Sequence, residues 1–290
     1  MTIVIGSGLH CFALNKDKSI LCNWKNLLQS IFPENKILFN NYILEFERFL
    51  VDHTSSQNEK AAYEKQAEHL ILLKKKIEEE QSKIILSKKN KFPTFLFDPN
   101  VVSDVISLNF DLIPELLLNR EKKLKTICGK NNKKNSNSAR HHSVNGIRFW
   151  HPHGDIYKQS SLILGLRQYA QHLKEVEKMR VDFKANGKKN TDPTTWYEAI
   201  LKNPIMIVGA SLSEFEWDIW TALVNRERNF ARKKKSKINY HGTYMMNHNC
   251  NNNKHFWIDS IFDTKYCYEK QWEMLEQMYL DDKRVSYQKA

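Results

Sequence analysis

The chain has 290 residues, 41% of them hydrophobic and 27% charged, with 45 Lys and Arg against 33 Asp and Glu for a formal net charge of +12. That length could hold two average domains, though α/β folds of this size often form one unit, and it is enough to bury a substantial core. No apolar run approaches the ~20 residues of a membrane span, and no secretory leader precedes the first strand-like run at Thr2. The expectation is a soluble, cytoplasmic protein of a reducing compartment. Its basic surplus, in runs such as Lys122-Lys123, Lys133-Lys134 and Arg232 to Lys235, suits an anionic dinucleotide, an acidic partner or direct nucleic-acid contact, and equally a solvated surface.

In chain order, Thr2 to Ile5 reads as a buried strand closed by the small-residue turn Gly6-Ser7-Gly8. Glycines there let a backbone approach a pyrophosphate at a helix start. The full G-x-G-x-x-G dehydrogenase fingerprint is missing. Trp24 and Leu28 share a helix face and read as core. From Ser55 to about Lys91 neither glycine nor proline occurs, so a long helix or helical pair is expected as an insertion. Its stripe of Leu70, Leu73, Ile77, Ile84 and Ile85 suggests a segment that projects and mediates self-association or partner docking; the alternative is an amphipathic helix of the parent domain.

Val101 to Leu108 reads as a second strand, ending at Asn109-Phe110-Asp111, where the carboxylate also suits a helix cap. Gly129 to Ser143, with His141-His142, reads as a loop; the histidine pair lacks a companion pair at metal-ligand spacing. Ile147 to Trp150 forms a strand that must break at His151-Pro152-His153-Gly154-Asp155. Histidine at a strand's carboxyl end suits proton transfer near neutral pH. Tyr157 to Phe183 is expected to be helical. Pro204 to Val208 is a strand ending in Gly209-Ala210-Ser211-Leu212-Ser213, with a helix from Glu214 to Asn225. A basic stretch from Arg226 to Lys237 suits a partner surface, a strand is expected within 238–244, and Trp272, Leu275 and Met278 suit a last helix. Four strands thus finish in small, polar or ionisable residues; in a parallel sheet those ends line one edge and can share a ligand.

This set resembles the sirtuin-like NAD-consuming superfamily, and within it the divergent branch of bacterial anti-phage defence. The blocks that carry the resemblance are Gly6-Ser7-Gly8 with Trp24, Ser107 to Asp111, His153-Gly154-Asp155, and Gly209 to Ser213. It implies one Rossmann-like parallel sheet flanked by helices across residues 1–290, with a helical insertion at about 55–91. It implies Asn109 as the catalytic-site asparagine and His153 as the base acting on a ribose hydroxyl or water. Gly6, Ser7, Gly8, Asp111, Gly154, Asp155, Gly209, Ser211 and Ser213 would hold NAD, with no metal required. Leu108 stands where deacylases commonly carry glutamine. The five cysteines never form a C-x-x-C pair, so the deacylases' zinc ribbon has no counterpart. The expected activity is NAD+ hydrolysis to nicotinamide and ADP-ribose by an NAD-depleting effector of abortive infection. A homo-oligomer and a separately encoded sensor or ATPase, such as a HerA-like DNA translocase, are the implied partners. The competing readings are a non-catalytic NAD- or ADP-ribose-binding scaffold, and a protein deacylase or ADP-ribosyltransferase.

Overall fold

The computed structural model describes residues 1–10, 19–39, 41–53, 59–87, 92–119, 125–127, 136–186, 192–210, 212, 215–231, 242–245 and 264–266. Ser211, Ser213 and Glu214 lie outside these residues, as do Trp272, Leu275 and Met278, most of the basic stretch after Arg226, and residues 128–135.

Eight strands form one sheet in the order β3-β4-β5-β2-β1-β6-β7-β8. They are β1 (Thr2–Ile5), β2 (Asp104–Ser107), β3 (Lys125–Ile127), β4 (His141–Val144), β5 (Ile147–Trp150), β6 (Ile205–Val208), β7 (Gly242–Met245) and β8 (Thr264–Tyr266). From β5 to β8 every pairing is parallel, while β3–β4 and β4–β5 are antiparallel. The central strands are short and buried throughout, as strands covered on both faces must be.

Side-chain alternation divides the core between the two faces. Ile3, Ile5, Val105, Phe149, Met206 and Val208 face one cluster, into which α1 (Trp24–Ile31), α2 (Tyr42–His53) and α3 (Glu59–Leu86) pack. Val4, Ile106, Trp150, Ile205 and Ile207 face the other, built with α5 (Leu166–Asn186), α6 (Trp196–Lys202) and α7 (Trp217–Ala231). The short α4 (Ile113–Leu118) follows β2. At the amino-terminal edge the buried Asp104 accepts hydrogen bonds from Arg148, from the Trp150 indole and from Asn203, tying β2, β5 and the approach to β6 together.

Several expectations are corrected. The segment ending at Ser143 is not all loop: residues 141–144 form β4, and Asn145-Gly146, with φ of 51° and 85°, turns it back into β5. An Asn-Gly pair at positive φ is a hairpin turn that favours antiparallel pairing despite the polar Arg-His-His-Ser run. The Tyr157 helix begins only at Leu166, after a 3₁₀ segment over Ile156–Ser161, and Leu166 itself is exposed. Arg226, assigned above to a partner surface, is buried, with Nη2 donating to the Asn203 carbonyl. Finally, the apolar stripe of α3 does not project: Leu70, Leu73, Ile77 and Ile84 are buried in this chain's own core, against the same cluster as Phe46, Phe49 and Phe97. The sheet face exposed by β1, β2 and β5 needs an apolar cover, and α3 is part of it.

Candidate active site

Parallel pairing with Ile5 opposite both Ser107 and Val208 brings the carboxyl ends of β1, β2 and β6 level, and β5 joins them beside β2. The residues that follow those ends line a cleft of about 810 Å³, counting the part open to solvent. Gly6 and Ser7 come from β1, Asn109 and Asp111 from β2, His153 from β5 and Ala210 from β6. Its apolar wall includes Trp24 and Leu28 of α1, Ile77 of α3, and Leu108. The mixed lining, an apolar wall with a few convergent polar groups, is that of a small-molecule site.

Among the described residues, the other predicted positions, Gly8, Gly154, Asp155 and Gly209, stand around this cleft rather than on it. A Cβ at Gly6 would meet Ala210 Cα and Gly209 O at 2.6 Å, and one at Gly8 would meet Gly209 O at 2.7 Å. These glycines let the turns after β1 and β6 interlock; Gly6 and Gly8 donate N–H to the carbonyls of Val208 and Gly209. Gly154 has φ 86°, and its Cβ would fall 2.1 Å from the Ser161 carbonyl oxygen, so its role is to close the loop. Asp155 turns inward. It caps the 3₁₀ segment through Lys158 N–H and pairs with Arg140 Nη1 at 2.7 Å and His142 Nε2 at 3.2 Å. Burial works to raise its pKa, but the hydrogen bond with His142 and the charges of His151 and Arg140 hold it far below the usual carboxylate range.

Pro152 sends its two flanking histidines to different places. His153, on the cleft, has Nε2 2.8 Å from Asp218 Oδ2. Asp218 stands in the first turn of α7; the same Oδ2 lies 3.0 Å from His172 Nε2, and Oδ1 accepts from the Tyr169 hydroxyl. Burial alone would lower the His153 pKa, but the Asp218 charge and hydrogen bond, then Glu216 and the Leu108 carbonyl, leave it raised. His151 instead points behind the cleft, where Nε2 meets Glu115 Oε1 at 2.6 Å and Nδ1 donates to the Asn109 carbonyl at 3.1 Å. Burial opposes its protonation too, yet Glu115 and Asp155 bring its pKa to about 9.

The sequence reading missed three participants. His10 lies 2.8–2.9 Å from both Asp111 oxygens through Nε2, and its Nδ1 is 3.5 Å from the Asn109 amide nitrogen. Burial would raise the Asp111 pKa, but His10 and the Ile113 amide hold it low. Asp111 Oδ1 accepts from Ile113 N–H, so the residue also serves the start of α4. Asp218 and His172 are the others. An acidic residue in the first turn after a strand-end block was the available signal for Asp218, and helical spacing from Ser7 was the signal for His10.

Among the described residues, two sets have metal-ligand chemistry: Glu115, His142 and His151, and His153, His172 and Asp218. Their closest contacts of 2.6 Å and 2.8–3.0 Å are direct hydrogen bonds. Two ligands around a tetrahedral ion with bonds of ~2.0–2.1 Å stand about 3.3 Å apart. In both sets, side chains are joined to one another by hydrogen bonds. The cleft's residues do fit a dinucleotide: an amide and carboxylates suit ribose hydroxyls, and an apolar wall suits a flat ring.

Among the described residues, no helix is long and apolar enough to cross a membrane. No curated protein matches the sequence. A model of the SIR2-like domain matches residues 103–258, more than half of the chain, spanning β2 with Asn109, the His153 loop and Asp218. SIR2-like domains are NAD-dependent enzymes with NAD as substrate. By this match the chain belongs to the SIR2-like domain family.

Proposed function

We propose that this protein hydrolyses NAD+ to nicotinamide and ADP-ribose, and that it serves as an NAD-depleting effector in anti-phage defence, activated within a complex. The observation that carries the chemistry is the meeting of Asn109 and His153, from adjacent parallel strands, on one cleft with Gly6 and Ser7. NAD supplies a leaving group that is already cationic at its ring nitrogen, so the oxocarbenium-like transition state needs a polar clamp and one base rather than a strong acid. Asn109, steadied by His10 on one side and by His151 through its carbonyl on the other, orients the nicotinamide ribose and the attacking water. His153 works through Nδ1. When protonated, its ring has acceptors in Asp218 and the Leu108 carbonyl; loss of one proton leaves Nδ1 as base while Nε2–H stays on Asp218. Trp24, Leu28 and Leu108 exclude bulk water from the apolar side of the cleft.

Leu108 in place of glutamine and the absence of paired C-x-x-C cysteines favour hydrolysis over protein deacylation. The defence role, the oligomer and a separately encoded ATPase or sensor partner, of the HerA-like translocase type, rest on the sequence resemblance. Purified protein incubated with NAD, with and without candidate partners, tests the reading by release of nicotinamide and ADP-ribose. A deacylase would consume NAD only with an acylated peptide present.

A further inference from the structure

Asp111 borders the cleft, but its side chain is buried and turned to the protein's own groups. Both oxygens lie 2.8–2.9 Å from His10 Nε2, and Oδ1 also accepts from Ile113 N–H. His10 is buried as well, one turn after Ser7, whose carbonyl accepts its backbone N–H, and its ring meets Phe92 edge-on at 5.9 Å. A carboxylate only accepts, so Nε2 carries a proton. Across the ring, Nδ1 faces the Asn109 amide nitrogen at 3.5 Å. Two N–H groups do not face each other, so this is an Nδ1 lone pair receiving Nδ2–H. The contact is long, but a flipped amide would set Oδ1 against the same lone pair. The Asn109 backbone is fixed independently, its N–H on Ser107 Oγ and its carbonyl accepting from His151 Nδ1. What remains to be set is which end of the amide meets the cleft that Asn109 lines.

We propose that His10 is a positioning residue: held in one tautomer by Asp111, it turns the Asn109 amide so that Oδ1 is presented to the substrate. The consequence for catalysis rests on the NAD-hydrolase reading; the tautomer and the amide orientation do not. An acceptor at that point selects what sits against it. A ribose hydroxyl or a water can donate to Oδ1, whereas a phosphate or carboxylate oxygen has no proton to give and is turned away. A water that points one O–H at Oδ1 keeps a lone pair for the ribose carbon, and its proton is left to His153. This is an effect of orientation, so loss of the Nδ1 acceptor weighs on kcat more than on KM. Asp111, expected from the sequence to touch the dinucleotide, acts instead through His10.

Two substitutions separate the two ring nitrogens. In His10→Gln the amide nitrogen stands near the Nε2 position and can donate to Asp111, but nothing replaces Nδ1. In His10→Asn the amide oxygen stands near the Nδ1 position and can accept from Asn109, but Asp111 loses its donor. With NAD as substrate, and the co-purified partner where turnover needs it, His10→Gln is expected to lower kcat at least about tenfold, with KM changed less than about threefold and the denaturation midpoint kept. His10→Asn is expected to recover most of that kcat while lowering the midpoint. Wild-type kcat in His10→Gln, or kcat losses that merely follow the two midpoints, overturns the positioning role. Long-range proton–nitrogen NMR of the intact protein with isotope-labelled histidine reads the tautomer without any turnover, the His10 signals being those lost in His10→Gln. A proton on Nε2 and none on Nδ1 is expected; a proton on Nδ1 overturns the proposal. A wild type that shows the expected tautomer yet never consumes NAD refutes the hydrolase reading and leaves the Asn109 orientation standing.

Discussion

His151 and His153 are two residues apart, both buried, and both bonded to a buried carboxylate through Nε2. They nevertheless stand in different surroundings. His153 lies on the cleft and shares its carboxylate with His172, whereas His151 closes a packed cluster of Glu115, His142, Asp155 and Arg140 behind Asn109. A perturbed pKa does not distinguish them, since both are raised. Access to the cleft does. A buried imidazole–carboxylate pair is a structural clamp by default and becomes catalytic only where one ring nitrogen can meet a substrate.

The largest expected effect separates the pair by activity. His153→Ala and Asn109→Ala should each lower NAD turnover by ~10²–10⁴-fold with circular dichroism unchanged, while His151→Gln keeps measurable turnover. Full activity in His153→Ala would erase the distinction. Next, His151→Ala leaves Glu115 buried without its partner and should cost about 3–5 kcal/mol in a denaturant titration; an unchanged midpoint would remove its clamp role.

The same pair gives a pH signature. The folded pKa of His151 is about 9, above the ~6.5 of an unfolded histidine. A raised pKa means the folded state binds the extra proton, so this stability is fully present below pH ~6.5 and is lost as pH rises through about 9. Thermal melts of wild type should decline across that window more steeply than those of His151→Gln. Parallel curves would show that the ion pair contributes nothing. The smallest effect concerns the base. Because Asp218 raises the His153 pKa, the acidic limb of turnover should lie above that of a free imidazole. Asp218→Asn should move it to lower pH, and a limb that stays in place would detach Asp218 from His153.

Much of this architecture is legible in the residues. Three of the four central strands follow from apolar runs closed by glycine or proline and the fourth from a run closed at Asn109, and Asn109, Asp111 and His153 follow from the ends of those runs. What was not legible is whatever depends on which side of an element finds a neighbour. The α3 stripe has the right spacing for an external seam, but the sheet face needed covering and took it. Ile77→Ser should therefore destabilise the fold by about 3 kcal/mol without changing the mass seen by light scattering; loss of an oligomer with the fold intact would restore the projecting-helix reading. The polar run at His141-His142 hid a strand whose evidence was the Asn145-Gly146 turn after it. Asp155 and Gly154 share the His153 block, yet one residue beyond the cleft the chain has turned inward, and spacing alone does not record that turn. Asp218 and His10 carried a local signal of position, but their partners, like those of His172, are reached through long-range pairing, which local pattern does not encode.

The central claim is that the cleft joining Asn109 to His153 hydrolyses NAD. Following nicotinamide and ADP-ribose by chromatography, for wild type and His153→Ala incubated with NAD alone and with a co-purified partner, measures it directly. The account predicts equal release of both products by the wild type, in at least one of those states and without acylated peptide, and none by the variant. Intact NAD in every wild-type sample, or equal release by the variant, would contradict it.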